Sequence, residues 1–201
     1  MLVPHRSLLL IALGSNQHWQ NDGPEAVVLK AVRALGEKHF DVIAESRLFQ
    51  SPSFPLGSGA DYINGCVALT LRQGTAIVDV PEVLTVLHEI EARFGRKRGA
   101  RWASRSLDLD LLAIDGLIMP DGAGYAYWRD LPLAEQKVQT PASLILPHPR
   151  MQDRAFVLVP LAEIAPNWCH PVSGLTVAQM LAALPQSDVD EIIPIGLATS
   201  L

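Results

Sequence analysis

The sequence predicts an α+β fold: a ferredoxin-like βαββαβ core, with helices packed on an antiparallel sheet and helical additions at the C-terminal end. Three observations lead there. Leu8-Leu-Leu-Ile-Ala-Leu13 is an unbroken apolar run stopped by Gly14, as expected of a strand buried on both faces. Two stretches, 24–35 and 81–94, carry apolar residues at helical spacing, whereas 62–71 and 107–114 alternate with a period of two. With a further strand at 42–50, the order is β-α-β-β-α-β, the split arrangement of a ferredoxin-like sheet with its helices on one side.

Each element has its own justification. Pro24 suits a first helical turn, Glu25 complements the positive end of the dipole, and Gly36 is expected to stop the helix. Val28, Ala31, Val32 and Leu35 form its inner stripe. Ser51-Pro-Ser-Phe-Pro-Leu-Gly-Ser-Gly59 is a loop by its proline and glycine content. In the strand that follows, Tyr62 and Asn64 share one face, and Ile63, Val67, Leu69 and Leu71 the other. The second helix turns Val83, Leu87, Ile90 and Phe94 inward and carries His88 and Glu91 on another face. Residues 116–146 show no clean period; Tyr125, Tyr127 and Trp128 are the anchors available to so long an excursion. Thr176-Val-Ala-Gln179 reads as a capping box for a last short helix running through Leu184. The tail from Pro185 receives no role. We expect one domain over residues 1–201, with 120–143 inserted in it.

Composition narrows the function classes. The 201 residues are 49% hydrophobic and 18% charged, which supports a substantial core. A net charge of −5 disfavours nucleic acid and anionic membranes as partners. Against that background, six of the sixteen Lys and Arg fall in one uninterrupted basic segment: Arg93, Arg96, Lys97, Arg98, Arg101 and Arg105. Cys66 and Cys169 lack metal-type spacing, so a reducing, cytoplasmic setting without a disulfide framework is expected. The N-terminal apolar run is too short to span a membrane and lacks a convincing leader pattern.

The basic segment runs directly into Asp108 and Asp110. On a strand these side chains share a face, with Cα atoms roughly 7 Å apart, and repel one another unless a positive group intervenes. A hard divalent cation suits that place, because magnesium uses one or two carboxylates together with substrate phosphates. The arginines are then available to the rest of a polyphosphate. Glycines 95 and 99 suggest that the segment moves. Tyr62 beside Asn64 can stack on a flat heterocycle and bind its edge, although such pairs are more often structural.

At Arg101-Trp-Ala-Ser-Arg105-Ser-Leu-Asp108-Leu-Asp110 the sequence resembles the 6-hydroxymethyl-7,8-dihydropterin pyrophosphokinase family of folate biosynthesis. Further matches follow in order: Gly14-Ser-Asn16, Asp61-Tyr-Ile-Asn64, Glu91 before Arg96, Pro147-His148, and Arg154-Ala-Phe156. The resemblance implies transfer of pyrophosphate from MgATP to the pterin hydroxymethyl group, with release of AMP. By resemblance, Asp108 and Asp110 hold two Mg²⁺ ions and, with Arg96 and Arg105, form the catalytic set. His88, Glu91, Arg98, Trp102, Ile145, His148 and Arg154 serve ATP. Ser51, Pro52, Phe54, Tyr62, Asn64 and Phe156 serve the pterin. Ala103-Ser104 and Ser51 depart from the family pattern, the first changing the stiffness of the basic segment and the second keeping a hydroxyl.

The implied partners are small molecules, with neither nucleic acid nor membrane; monomer and homodimer both stay open. A non-catalytic pterin or nucleotide sensor on the same fold is the alternative, and it would dispense with paired metal carboxylates. A transferase acting on nucleic acid would need a wider basic surface. A plain interaction module would need no pterin platform.

Overall fold

The computed structural model describes residues 1–3, 6–53, 57, 59–75, 79–96, 105–132, 135 and 138–195. Strand β1 (Leu9–Ser15) is central, pairing antiparallel with β4 (Tyr62–Leu71) on one side and β5 (Asp108–Ile114) on the other. Strands β2 (Phe40–Glu45) and β3 (Phe49–Ser51) follow one another along the far edge of β4. A short β6 (Ile193–Pro194) pairs with β3, and every described strand pairing is antiparallel. The expected ferredoxin-like order is therefore present: β5, β1, β4, then β2 and β3.

The expected strand over 42–50 is two strands, and Ser46 explains the break. Its N–H donates to the Cys66 carbonyl (3.0 Å) while its hydroxyl accepts from the Cys66 N–H (2.9 Å), so one residue takes both bonds and the chain turns. Helix α1 (Pro24–Lys38) also runs past Gly36. Arg72 reaches over from beyond β4 and donates to the carbonyls of Gly36 (2.7 Å) and Glu37 (3.1 Å), satisfying the helix end further along than glycine alone would. Helix α2 (Val80–Arg93) opens with a reciprocal Asp79–Glu82 capping box.

Strand alternation divides the core. Leu9, Ile11 and Leu13 of β1 pack with Val27, Val28 and Leu35 of α1 and with Val83 and Leu87 of α2. Leu10, Cys66, Ala68 and Leu112 face the opposite way, against Val157, Leu158 and Leu161 of helix α4 (Ala155–Ile164) and Val177 and Met180 of α5 (Val177–Ala182). The βαββαβ helices thus cover one face, as expected, and the C-terminal helices cover the other.

The excursion contains helix α3 (Gly122–Asp130), opened by Asp121 and anchored by Tyr125, which is fully buried. The Tyr125 hydroxyl meets His170 Nε2 at 2.9 Å. The Thr176–Gln179 capping box forms, but its helix ends at Ala182, and another short helix, α6 (Gln186–Asp190), follows before β6. No described helix is long and apolar enough to cross a membrane.

Candidate active site

The site lies on the face of the sheet that α4 covers, beyond that helix's N-terminal end. Tyr62 and Asn64 precede Cys66 and Ala68 on the same side of β4, and Asp108 and Asp110 precede Leu112 on the same side of β5. Gly14 of β1 pairs with Asn64 on one side and Asp108 on the other, so the amide and the carboxylate stand two strands apart, roughly 10 Å between backbones. A Cβ on Gly14 would sit 3.4 Å from Asn64 Oδ1 and 4.0 Å from the Tyr62 ring. Glycine leaves the floor between the two groups low.

At the β5 end, Asp108 is held by two arginines. Arg96 Nη1 donates to its Oδ1 at 2.5 Å, and Arg105 donates to Oδ2. Burial by itself would raise the Asp108 carboxyl, but Arg105 and then Arg96 outweigh it and hold the group below its ordinary range. Glu91, 4% exposed on α2, also takes Arg96 and accepts the Leu109 N–H at 2.8 Å, tying the helix to the start of β5. Asp110 differs. Its nearest cation is Arg154, at 3.9 Å, and 39% of its side chain is open to solvent against 20% for Asp108. Desolvation on its protein side, followed by the Asp108 charge, pushes the Asp110 carboxyl upward.

Such a carboxylate, raised by its twin and weakly paired, fits a hard cation. Among the described residues no three metal-ligating side chains converge, so Asp108 and Asp110 could offer a cation only part of its coordination shell.

Arg154 precedes α4 and lies over the Phe156 ring, 5.6 Å from its centroid, and Phe156 is 37% exposed. His148 accepts the Arg150 N–H on its ring Nδ1 (3.2 Å), and its backbone N–H donates to the Leu112 carbonyl (2.7 Å). Burial, then Arg154 and Arg150, push the ring down to about 3, so it is neutral at pH 7 with its proton on Nε2, a single donor. At the β4 end, buried Asn64 donates to the Ser51 hydroxyl at 2.8 Å. Tyr62 is half-buried; burial raises its phenol, with Arg105 opposing and Asp108 reinforcing, so it senses both members of the charged pair.

The expected set is thus largely gathered, with exceptions. His88 is exposed while Glu91, one turn on, is buried, so the helix face they were expected to share is divided. Ile145 is buried beside the Met119–Leu146 bridge. Pro52 continues from Ser51 in the loop. Phe54, Arg98 and Trp102 lie outside the described residues, as does Gly99.

Gly95 has a duty that needs no mobility. At φ +78°, its N–H donates to the Ala92 carbonyl (3.0 Å) and the Arg96 N–H to that of Glu91 (3.1 Å), a left-handed cap of α2. Trp19 lies directly on it, leaving no room for a Cβ. Trp19 and the Asn16 side chain were not among the expected site residues; the signal for Asn16 was its Gly-Ser-Asn turn at the end of a central strand.

Comparison with known proteins identifies a family. Residues 10–166 match the model of the 7,8-dihydro-6-hydroxymethylpterin-pyrophosphokinase (HPPK) family. The chain belongs to this family. Curated pyrophosphokinases of that function include one from Synechocystis sp., 40% identical over 134 residues, covering 67% of this chain and 56% of the relative. Another, from Pseudomonas aeruginosa, is 31% identical and covers 90% of this chain and 94% of the relative. Among solved structures, wild-type Plasmodium falciparum HPPK-DHPS superposes with a TM-score of 0.57 at 14% identity, over 88% of this chain and 44% of that one. This last likeness is one of fold. The HPPK match runs from β1 through α4, so it spans the whole gathered site and leaves α5, α6 and β6 outside.

Proposed function

We propose that the protein transfers pyrophosphate from MgATP to the hydroxymethyl group of 6-hydroxymethyl-7,8-dihydropterin, releasing AMP, as a step of folate biosynthesis. One observation carries the reading: Asp108, with its arginines, and Asn64 flank Gly14 on one sheet face, a phosphate-binding end and a heterocycle-binding end at substrate-sized separation. Family membership supports the same reaction.

In this scheme the hydroxymethyl oxygen forms a bond to the β-phosphorus, the bond from that phosphorus to the α-phosphate oxygen breaks, and the hydroxyl proton is lost as AMP departs. Asn64 and Ser51 bind the pterin edge, and Tyr62 and Phe156 enclose its faces. Arg96 and Arg105 leave Asp108 for the phosphates, where their charge stabilises the transferring group. Neutral His148 donates a hydrogen bond, and Arg154 adds charge beside Asp110. Asp108 and Asp110 would hold two Mg²⁺ ions, whose positive charge would offset the negative charge that develops during transfer. Arg98 and Trp102 would complete the nucleotide end. Two free cysteines, one of them buried, support a reducing cytoplasmic setting.

The test is direct. Incubation with MgATP and 6-hydroxymethyl-7,8-dihydropterin is expected to release AMP; release no greater than in a pterin-free control would overturn the assignment.

A further inference from the structure

One side chain outside the catalytic set touches the segments leading into both halves of the site. Asn16, 7% exposed, lies two residues beyond Gly14. Its Oδ1 accepts the Arg105 N–H at 3.2 Å, and its own N–H donates to the Arg105 carbonyl at 3.3 Å. Its Nδ2 donates to the Ala60 carbonyl, also at 3.2 Å. Arg105 is the residue whose guanidinium holds Asp108. Ala60 stands two residues before Tyr62, in a loop closed at its base by the Ser53 hydroxyl on the Gly59 carbonyl (3.1 Å) and the Gln50 amide on Asp61 (2.8 Å). Ser15 adds a neighbouring tie, its hydroxyl donating to the Ser106 carbonyl at 2.6 Å.

We infer that Asn16 is a positioning residue that couples the two halves, so that ordering the Tyr62 side by pterin stabilises the Arg105 side for nucleotide, and the reverse. A buried amide with its acceptor on one segment and its donor on the other cannot keep both bonds if either segment shifts. Its burial leaves little water to replace a lost partner, which makes the shift of one segment costly to the other. Coupling of this kind is reciprocal by necessity.

The inference rests on the proposed function for the identity of the two ligands. The experiment is isothermal titration of wild type and Asn16→Asp with Mg²⁺ and a nonhydrolysable ATP analogue, with and without 6-hydroxymethyl-7,8-dihydropterin. Aspartate keeps an oxygen for the Arg105 N–H and replaces the donor to Ala60 with a carboxylate oxygen that repels the carbonyl, so the tie to that segment is broken. In wild type the pterin is expected to tighten nucleotide binding by about fivefold or more; in Asn16→Asp the ratio is expected to fall to within about twofold of one, with nucleotide still binding alone. A merely structural role would weaken binding without changing that ratio. The same ratio in the variant as in wild type, or no coupling in wild type, overturns the inference. If neither ligand binds wild type, the functional proposal fails instead. Amide exchange on wild type gives a test independent of any variant: pterin alone is expected to slow exchange at Arg105, and an unchanged rate there also overturns the inference.

Discussion

The two ends of the site are built on different physics. At the β5 end, Arg96, Arg105, Glu91 and Asp108 neutralise one another, and Asp110 stands apart from them. At the β4 end, buried Asn64 and Ser51 share a single neutral hydrogen bond. The neutral end is shaped before its ligand arrives. The charged end is balanced by internal ion pairs, and under the proposed function these would have to rearrange for phosphates and cations, because Asp108 cannot serve two arginines and a metal through the same oxygens. Internal pairing keeps buried Glu91 and part-buried Asp108, Arg96 and Arg105 from standing as unpaired charges, while Asp110 marks where the balance is left incomplete.

The most forceful way to break the comparison is at Asp110. Asp110→Asn is expected to lower AMP formation by at least about a hundredfold, the scale for removing one charge-stabilising group. It is also expected to raise the melting temperature of the protein alone, because it removes the desolvation cost of the ionised carboxyl and its repulsion by Asp108. The sign follows from the shift. The folded carboxyl lies above its ordinary 3.8, at about 6, so its ionisation costs stability above pH 3.8, fully so above about pH 6. The gain in the variant is therefore expected at pH 7 and absent below pH 3.8. A lower melt at pH 7, by scanning calorimetry, would contradict this.

Asp108 is the counterpart of opposite sign. Its carboxyl is held below the ordinary value, so its ion pairs stabilise the protein above pH 3.8 and the benefit is lost as pH falls through the lowered folded value. Asp108→Asn leaves two arginines facing a neutral amide and is expected to cost about 2 kcal/mol at pH 7. In a chain of this length that lowers the melt by roughly 4–8 °C. The two substitutions, two residues apart, should move the melt in opposite directions; movement in the same direction would remove the distinction between balanced and unbalanced carboxylates.

Much of this was legible in the sequence because it depends on periodicity. The apolar run 8–13, the helical stripes, and the alternation around Asn64 and Asp108 placed the core strands and the shared site face. What was not legible depends on contacts distant in sequence. Gly36 looks like a helix stop until Arg72 supplies the carbonyl partners, and Gly95 looks like a hinge until Trp19 lies on it. Glu91 and His88 have equal claim to the site on a helical wheel; only the packing of α2 against β5 buries one and exposes the other. Arg96 and Arg105 are expected on phosphate; Arg105 lies three residues from Asp108, but the convergence of Arg96 and Glu91 on the same cluster has no local signal.

At the neutral end a smaller effect is expected. Asn64→Ala removes one bond to a buried hydroxyl and one to the pterin edge, and about 1.4 kcal/mol corresponds to a tenfold weaker pterin affinity. Nucleotide affinity measured without pterin should stay within about twofold. Equal loss of both ligands, by titration calorimetry, would mean that the two ends are not separately built.

The smallest effect is expected far from both ends, at the joint between α3 and the C-terminal segment. His170 accepts the N–H groups of Val172 (3.2 Å) and Ser173 (3.3 Å) on Nδ1, so the neutral ring carries its proton on Nε2 and donates it to the Tyr125 hydroxyl. Burial holds His170 below its ordinary value, which keeps that tautomer neutral at pH 7. Tyr125→Phe keeps the ring and strands one buried donor, costing about 1 kcal/mol, or roughly 2–4 °C in the melt. AMP formation at 25 °C should match wild type, since none of the atoms lost touches the Gly14 face. A change in pterin affinity in this variant would instead join the excursion to the substrate site and end the treatment of the two ends as the whole of it.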